Sequence, residues 1–507
     1  MERLLEYFVP ENYQLNLNID KHKKTLQGKA IVTGVAKKST IKLHAVDLII
    51  DDVKDFSFEQ ENGTLIIKQI PLGENVLEIT YHGNLNENMQ GAYLSTYKNK
   101  GKEEVLVATQ FESNYARECF PCVDEPAAKA TFDLSITIPD SDDIILANTP
   151  VKNVVKNTTV FETTPRMSTY LLAFVIGKFH SKTTTNKHGV KVTSYCALNH
   201  SPKVLDYAND TAARALDYYD DLFGVPYPLP KMDQVALPDF EAGAMENWGL
   251  VTYRESCMLA DNSTSMDSKE YIATVITHEL SHQWFGDLVT MAWWDDLWLN
   301  ESFASVIEYF AADFLYPEYD IWRSFFTGDC LAALTRDAYF GVQSVKQDVN
   351  DPAEIATLFD GAIVYAKGAR LMFMLMRLMG DDNFFAGLKD YFKKHKYSNT
   401  SGDDLWAALQ KYAEFDVKDF MDSWITQSGY PMITDMVQQR FLLNGATDET
   451  KWPLPEVTDD MSGHYLINLS AMEFDEKVKD FNNLNMEQRI RLLIDRHLLS
   501  RTPIVSS

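Results

Sequence analysis

Two spacings constrain this chain more than anything else in it. His278-Glu279-Leu280-Ser281-His282 sets two imidazoles four residues apart, and Glu301 follows nineteen residues after His282. Residues four apart share one face of a helix, so His278 and His282 are predicted to grip one metal ion, with Glu279 one step round. Trp293-Trp294-Asp295-Asp296-Leu297-Trp298 is long enough for the chain to turn back. It would bring Glu301, on a second helix from about 300 to 314, to the same ion. Two imidazoles and a carboxylate leave one metal position open, whereas structural zinc sites are usually closed by four protein ligands. The pattern therefore predicts one catalytic Zn2+ per chain. Zinc lowers the pKa of a bound water towards about 7, and Glu279 is the candidate base that takes the proton as the water attacks a carbonyl.

At 507 residues the chain exceeds what one core usually organises, and two to four domains are expected. Asp and Glu number 73 against 47 Lys and Arg, a net charge of −26, which opposes nucleic acid and anionic membrane and suits cationic ligands. No basic n-region with a long apolar run opens the sequence, and no stretch reaches transmembrane length. Leu371–Met376 is too short to span and is predicted to pack as a core helix. Five cysteines, an odd number, fit buried thiols in a reducing compartment. A cytoplasmic protein is expected. Cys119-Phe120-Pro121-Cys122 lacks a second pair at zinc-ribbon spacing and reads as incidental.

From Tyr13 to about Phe179, short alternating stretches such as 14–19 and 131–138 predict a β-rich N-terminal domain. A polar segment around 182–189 marks a boundary near residue 182, and helical patterns begin at 205–223. Asp267 or Ser268 is the expected cap of the helix carrying both histidines, with Gly286 as its stop. Residues 318–430 read as helix-rich. Strand-like runs follow at 436–443 and 463–469, then a helical pattern at 486–499 that reads as interrupted. No internal repeat is evident. Glu308, two turns beyond Glu301, is expected either to orient a ligating histidine or to be an exposed helix carboxylate.

Gly243-Ala244-Met245-Glu246-Asn247, taken with H-E-x-x-H-x18-E, resembles the gluzincin aminopeptidases of the aminopeptidase N family. The similarity extends to Gln110-Phe111-Glu112, to 120–126, to Tyr365-Ala366-Lys367-Gly368 and to 424–431, so that about residues 5 to 435 are covered. The resemblance implies that Glu246 and Glu112 hold the free α-ammonium of a peptide, and that the segment around Gln110 and residues 243–247 line the substrate cleft. Gly243 and Ala244 would meet substrate through backbone groups. It also implies that the Tyr365 phenol helps hold the tetrahedral oxyanion; apart from the Y-x-K-G match, Tyr365 reads as core. A monomeric exopeptidase acting on peptides with a free N-terminus is expected, with no nucleic-acid or membrane partner.

The implied architecture is α+β. It comprises an N-terminal β-saddle domain (1–182), a thermolysin-like zinc catalytic domain (183–435), a shortened small β-domain (436–485) and the start of a helical C-terminal domain (486–507). Family members continue through that helical domain, and this chain reads as truncated beside them. Ala242 stands where some bacterial relatives carry methionine, so their specificity does not transfer. Two rivals remain at this stage. An epoxide-opening branch of the superfamily favours G-G-M-E-N, against which Ala244 counts; a fold-retaining scaffold would have lost ligands or base, and this chain keeps both. That leaves the weaker form, in which a chain without the C-terminal domain binds zinc and turns over poorly or less selectively.

Overall fold

The computed structural model describes residues 2–139 and 142–502. The last five residues of the segment 486–507 lie outside the described residues. Contacts divide the chain into two units. The first takes the described residues up to Trp293 together with His395–Asn399; the second takes the remainder.

The first unit opens with strands whose alternate residues are buried. Phe8–Asp20 buries Leu15, Leu17 and Ile19 and leaves Gln14, Asn16 and Asn18 outside, the alternation a one-faced sheet requires. This strand pairs antiparallel with Thr25–Ala36 and parallel with Thr131–Thr137, near the middle of a seven-stranded sheet. A four-stranded sheet contains Gly91–Asn99 and Lys102–Gln110, and its second strand ends on Gln110. The expected β-rich N-terminal region is present.

A mixed five-stranded sheet follows, in the order Phe179–Thr185, Lys191–Ala197, Lys231–Leu237, Leu250–Arg254 and Ala244–Met245. Its edge strand is part of the G-A-M-E-N motif. Beside this sheet lie helix α1, Asp206–Phe223, and helix α2, Met266–Ser281. Tyr219 of α1 packs edge-on and Phe223 tilted against the buried Trp284, with ring centroids 5.8 and 5.4 Å away. Tyr219 Oη also donates to the Thr277 carbonyl at 2.7 Å. Burying side chains of this size contributes about 1.5–3 kcal/mol each, and here it fixes the end of α2 that carries the histidines.

Two sequence expectations for α2 are corrected. The cap is Ser265, whose hydroxyl accepts from Ser268 N–H at 3.2 Å; Asp267 lies in the first turn, where its negative charge is stabilised by the positive end of the helix dipole. The helix stops at Ser281 and not at Gly286. Tight turns replace its last residues, with Asp287 N–H donating to the His282 carbonyl and Gly286 N–H to the Val289 carbonyl.

The second unit is mainly helical. Helix α3, Trp298–Leu315, is buried on nearly every side over its first ten residues, as a helix central to a core must be. A π-helical turn, Gly361–Lys367, runs into the helix Gly368–Met379, whose Leu371–Met376 segment is wholly buried, as expected. Trp298 stacks on Trp406 at 5.1 Å. A three-stranded sheet forms from Val437–Arg440, Pro431–Thr434 and Leu466–Ile467. The last helix is not interrupted: it runs from Met486 to Ser500, capped by Asn485 and Gln488 in a reciprocal box. The helix Ala471–Lys479 was not foreseen.

Candidate active site

His278 lies in the last turn of α2 and His282 just beyond it. Their Nε2 atoms are 3.0 Å apart. One ion at the usual 2.0–2.1 Å zinc–nitrogen distance from both fits that separation. His282 Nδ1 lies 2.8 Å from the Phe285 carbonyl oxygen, which can accept only if Nδ1 carries the proton. That tautomer leaves the His282 Nε2 lone pair for a metal, the usual arrangement of a ligating imidazole. The donor set present therefore fits zinc, and among the described residues a candidate histidine–glutamate group for a metal is present. Glu279, between the two histidines, is 6% exposed.

The G-A-M-E-N segment reaches this helix from the sheet. Met245 pairs with Thr252 and Ala244 with Tyr253, which fixes the strand, and after Glu246 and Asn247 the chain turns through Trp248 and Gly249. Glu246 is 3% exposed, and its Oε1 stands 4.0 Å from His282 Nδ1. Asn247 is spent on the turn: its Nδ2 donates to Thr252 Oγ1 at 3.2 Å and its carbonyl accepts from Leu250 N–H at 2.8 Å. A Cβ built on Gly243 meets nothing nearer than Cys257 Sγ at 3.9 Å, so the protein itself leaves that space open. The loop before the motif is pinned by Arg254, which donates to the carbonyls of Phe240 and Glu241.

Glu112 follows the strand that ends on Gln110, and its carboxylate lies within 4.8 Å of that of Glu246. Gln110 Nε2 is 3.4 Å from Met245 Sδ and donates to the Glu112 carbonyl at 3.5 Å. Two carboxylates this close repel, and a cation between them relieves the repulsion. The first unit thus brings together Gln110, Glu112, the 243–247 segment, His278, Glu279 and His282, although they span 172 positions (282 − 110) of sequence.

The other two expected residues belong to the second unit. Glu301 is buried on the first turn of α3. Tyr365 sits in the π-helical turn, a feature that concentrates at functional sites. Ser302 Oγ donates to the Val364 carbonyl at 2.6 Å, joining the elements that carry Glu301 and Tyr365. The lysine of Y-x-K-G is structural: Lys367 Nζ pairs with Asp337 at 2.9 Å, with neither side chain exposed. Burial opposes the Asp337 charge, and Lys367 with the His464 hydrogen bond outweighs it, holding the carboxyl at about 2. Cys119 and Cys122 are buried free thiols, pushed upward by burial and therefore unreactive.

Sequence reasoning missed Gln283 and Gly249. Gln283 is fully buried and bonded to the Glu246 carbonyl. Gly249 has φ +79°, and a Cβ there would meet the Asn148 carbonyl oxygen at 2.5 Å. The only advance signal was their place beside the two motifs.

Comparison with known proteins agrees with this geometry. Residues 207–424 match the peptidase family M1 domain and residues 9–171 match the peptidase M1 N-terminal domain. The chain belongs to the peptidase M1 family. It is 42% identical to aminopeptidase N of Lactococcus lactis subsp. lactis (strain IL1403), over 100% of this chain and 66% of that protein. It is 41% identical to aminopeptidase N of Lactobacillus helveticus with the same coverage. Aminopeptidase M1 of Arabidopsis thaliana is 40% identical over 89% of this chain and 55% of its own length. The chain spans just under two thirds of the bacterial relatives it matches. No helix among the described residues is long and apolar enough to cross a membrane.

Proposed function

We propose that the protein is a zinc-dependent aminopeptidase that hydrolyses the N-terminal residue from peptides, with His278, His282 and Glu301 as the ligands of one ion. The observation that carries this reading is the pair of carboxylates, Glu112 and Glu246, within 4.8 Å of each other, with Glu246 Oε1 4.0 Å from His282 Nδ1. A terminal ammonium held there gains charge-assisted hydrogen bonds of about 1.5–3 kcal/mol each. An internal peptide bond brings no such cation, so the ammonium would present only the first peptide bond for cleavage.

Zinc, when bound, supplies a Lewis acid that polarises the scissile carbonyl and acidifies water. Glu279 accepts a proton from the attacking water as the new C–O bond forms. It then returns the proton to the leaving nitrogen as the C–N bond breaks, and the free amino acid and shortened peptide depart. Tyr365 donates its phenolic hydrogen to the developing oxyanion. Gln110 and the backbone of Gly243 to Asn247 line the substrate, in the space left open above Gly243.

The domain boundaries at 182, 435 and 485 belong to the same proposal. They are supported by the two family matches and by the sheet formed from 431–434, 437–440 and 466–467. So do the β-saddle, thermolysin-like, small β and helical labels. A cytoplasmic location is supported by five free, buried cysteines, and a monomeric state by a net charge of −26.

Aminoacyl arylamides with free and acetylated amines, each assayed with and without a chelator, test the reading. Turnover confined to the free amine and abolished by the chelator is expected. Equal cleavage of the acetylated substrate would overturn it.

A further inference from the structure

Gln283 follows the second histidine and has 0% exposure. Its carboxamide is occupied entirely with main chain. Nε2 donates to the Glu246 carbonyl at 3.0 Å and to the Glu279 carbonyl at 3.2 Å, while Oε1 accepts from Gly249 N–H at 3.2 Å. One nitrogen thus bonds the backbone of both residues to which amine capture and proton transfer are assigned above. Only an uncharged amide supplies donors and an acceptor together in this shape; a carboxylate only accepts.

The loop has a second fastening that leaves Gln283 its particular task. Asn148 Nδ2 donates to the Trp248 carbonyl at 3.0 Å and to the Leu171 carbonyl at 2.7 Å, and its Oδ1 accepts from Ala173 N–H at 2.8 Å. Asn148 therefore ties the loop to the N-terminal strands. Gln283 ties it to α2. A brace from residue 283 back to residues 246 and 249 has no counterpart in local helix or strand bonding.

We propose that Gln283 is a positioning residue that sets the separation between the ammonium-holding Glu246 and the base Glu279, and so the register in which a peptide is cut. The inference rests on the aminopeptidase reading, and its test separates the two. In Q283M the side chain keeps its length and loses every hydrogen bond; in Q283E it keeps the acceptor for Gly249 N–H and loses both donors. With zinc content per chain measured and equal, both variants are expected to lose about 10²-fold in kcat/KM on a free-amine arylamide, the usual effect of misplacing a reacting group by an ångström. The loss should fall largely on KM, and inhibition by a simple hydroxamate without an amine should change by no more than about threefold. A role in folding alone would lower stability and leave kinetics per folded, zinc-loaded chain unchanged.

A readout independent of activity is amide exchange at Gly249. Exchange is expected to quicken about tenfold in Q283M and to stay near wild type in Q283E, with α1 unaffected in both. Wild-type kcat/KM in the zinc-loaded variants, or unaltered Gly249 exchange in Q283M, would overturn the inference. Failure of the wild type to distinguish free from acetylated amines would instead overturn the aminopeptidase reading, and the exchange measurement would still decide the brace. If Q283M does not fold, Q283E carries the kinetic arm.

Discussion

Ser302 Oγ donates to the Val364 carbonyl at 2.6 Å, and a Cβ built on Gly368 would lie 1.9 Å from that same hydroxyl. The helix bearing Glu301 therefore meets the turn bearing Tyr365 through the small Ser302 side chain, and a glycine at 368 is the condition for it. Gly368→Ala must push the two apart. It is expected to cost about 1–3 kcal/mol, read by denaturant unfolding, and to weaken zinc retention because Glu301 moves with its helix. Ser302→Ala leaves the buried Val364 carbonyl without this donor and should cost about 1–3 kcal/mol.

Glu279→Gln removes a proton acceptor and preserves shape. Turnover should fall by about 10²–10⁴-fold, the range for losing a general base, while zinc content per chain stays at the wild-type value. Substantial activity in the zinc-loaded variant would show that the base is elsewhere.

Lys367→Met strands Asp337 in a site where neither partner is exposed. Breaking such a pair by removing one partner costs about 3–5 kcal/mol, and the double variant Lys367→Met/Asp337→Leu should recover little of it, because the Gly429 N–H and His464 Nε2 then lose their Asp337 partner. Urea unfolding of the three proteins checks both statements. A loss under about 1 kcal/mol in the single variant would mean that the pair is not held out of water.

Acid stability follows from buried imidazoles. Burial chiefly holds His464 at about 3, and burial with the nearby Arg117 charge holds His44 at about 3. Both values lie below the unfolded value near 6.5, so between them the unfolded chain binds more protons and folding weakens as pH falls. Going from pH 7 to pH 5 should remove roughly 2 kcal/mol for each histidine, measured with chelator present throughout so that metal release plays no part. The Asp337 contribution has a different window: its folded value is depressed to about 2, so it persists above the unfolded carboxylate value near 3.8 and is lost only below it. Asp495, raised to about 6 by burial, works in the opposite sense from pH 7 to 5. The histidine contributions are therefore read as the pH slope lost in His464→Gln and His44→Gln, and variants as pH-dependent as the wild type would contradict the two assignments.

The sequence carried what is local or periodic. His278 and His282 share a helix end because four-residue spacing dictates it, and the strand Phe8–Asp20 alternates because its sheet has one buried face. The cap of α2 was misplaced because Ser265, Asp267 and Ser268 are all competent caps within four positions, and only the packed helix decides among them. Gly286 looked like a helix stop, yet Trp284 and Phe285 are drawn into the core and end the helix earlier. Asn148, Gly249 and Gln283 gave no periodic signal, since each answers to a backbone group far away in sequence. Glu112 and Glu246 were found through resemblance alone: nothing within a window of a few residues reports that two carboxylates 134 positions apart (246 − 112) will share one notch.

The turn Gly361–Lys367 makes hydrogen bonds one residue longer than the helix into which it feeds. Such a turn is a single surplus residue wound into a regular coil, and chain length there acts as a dial. Deleting one residue between 361 and 364 would let the coil close and rotate everything upstream of the cut by about 100° relative to Tyr365. A natural relative one residue shorter here would keep the fold and aim its tyrosine elsewhere.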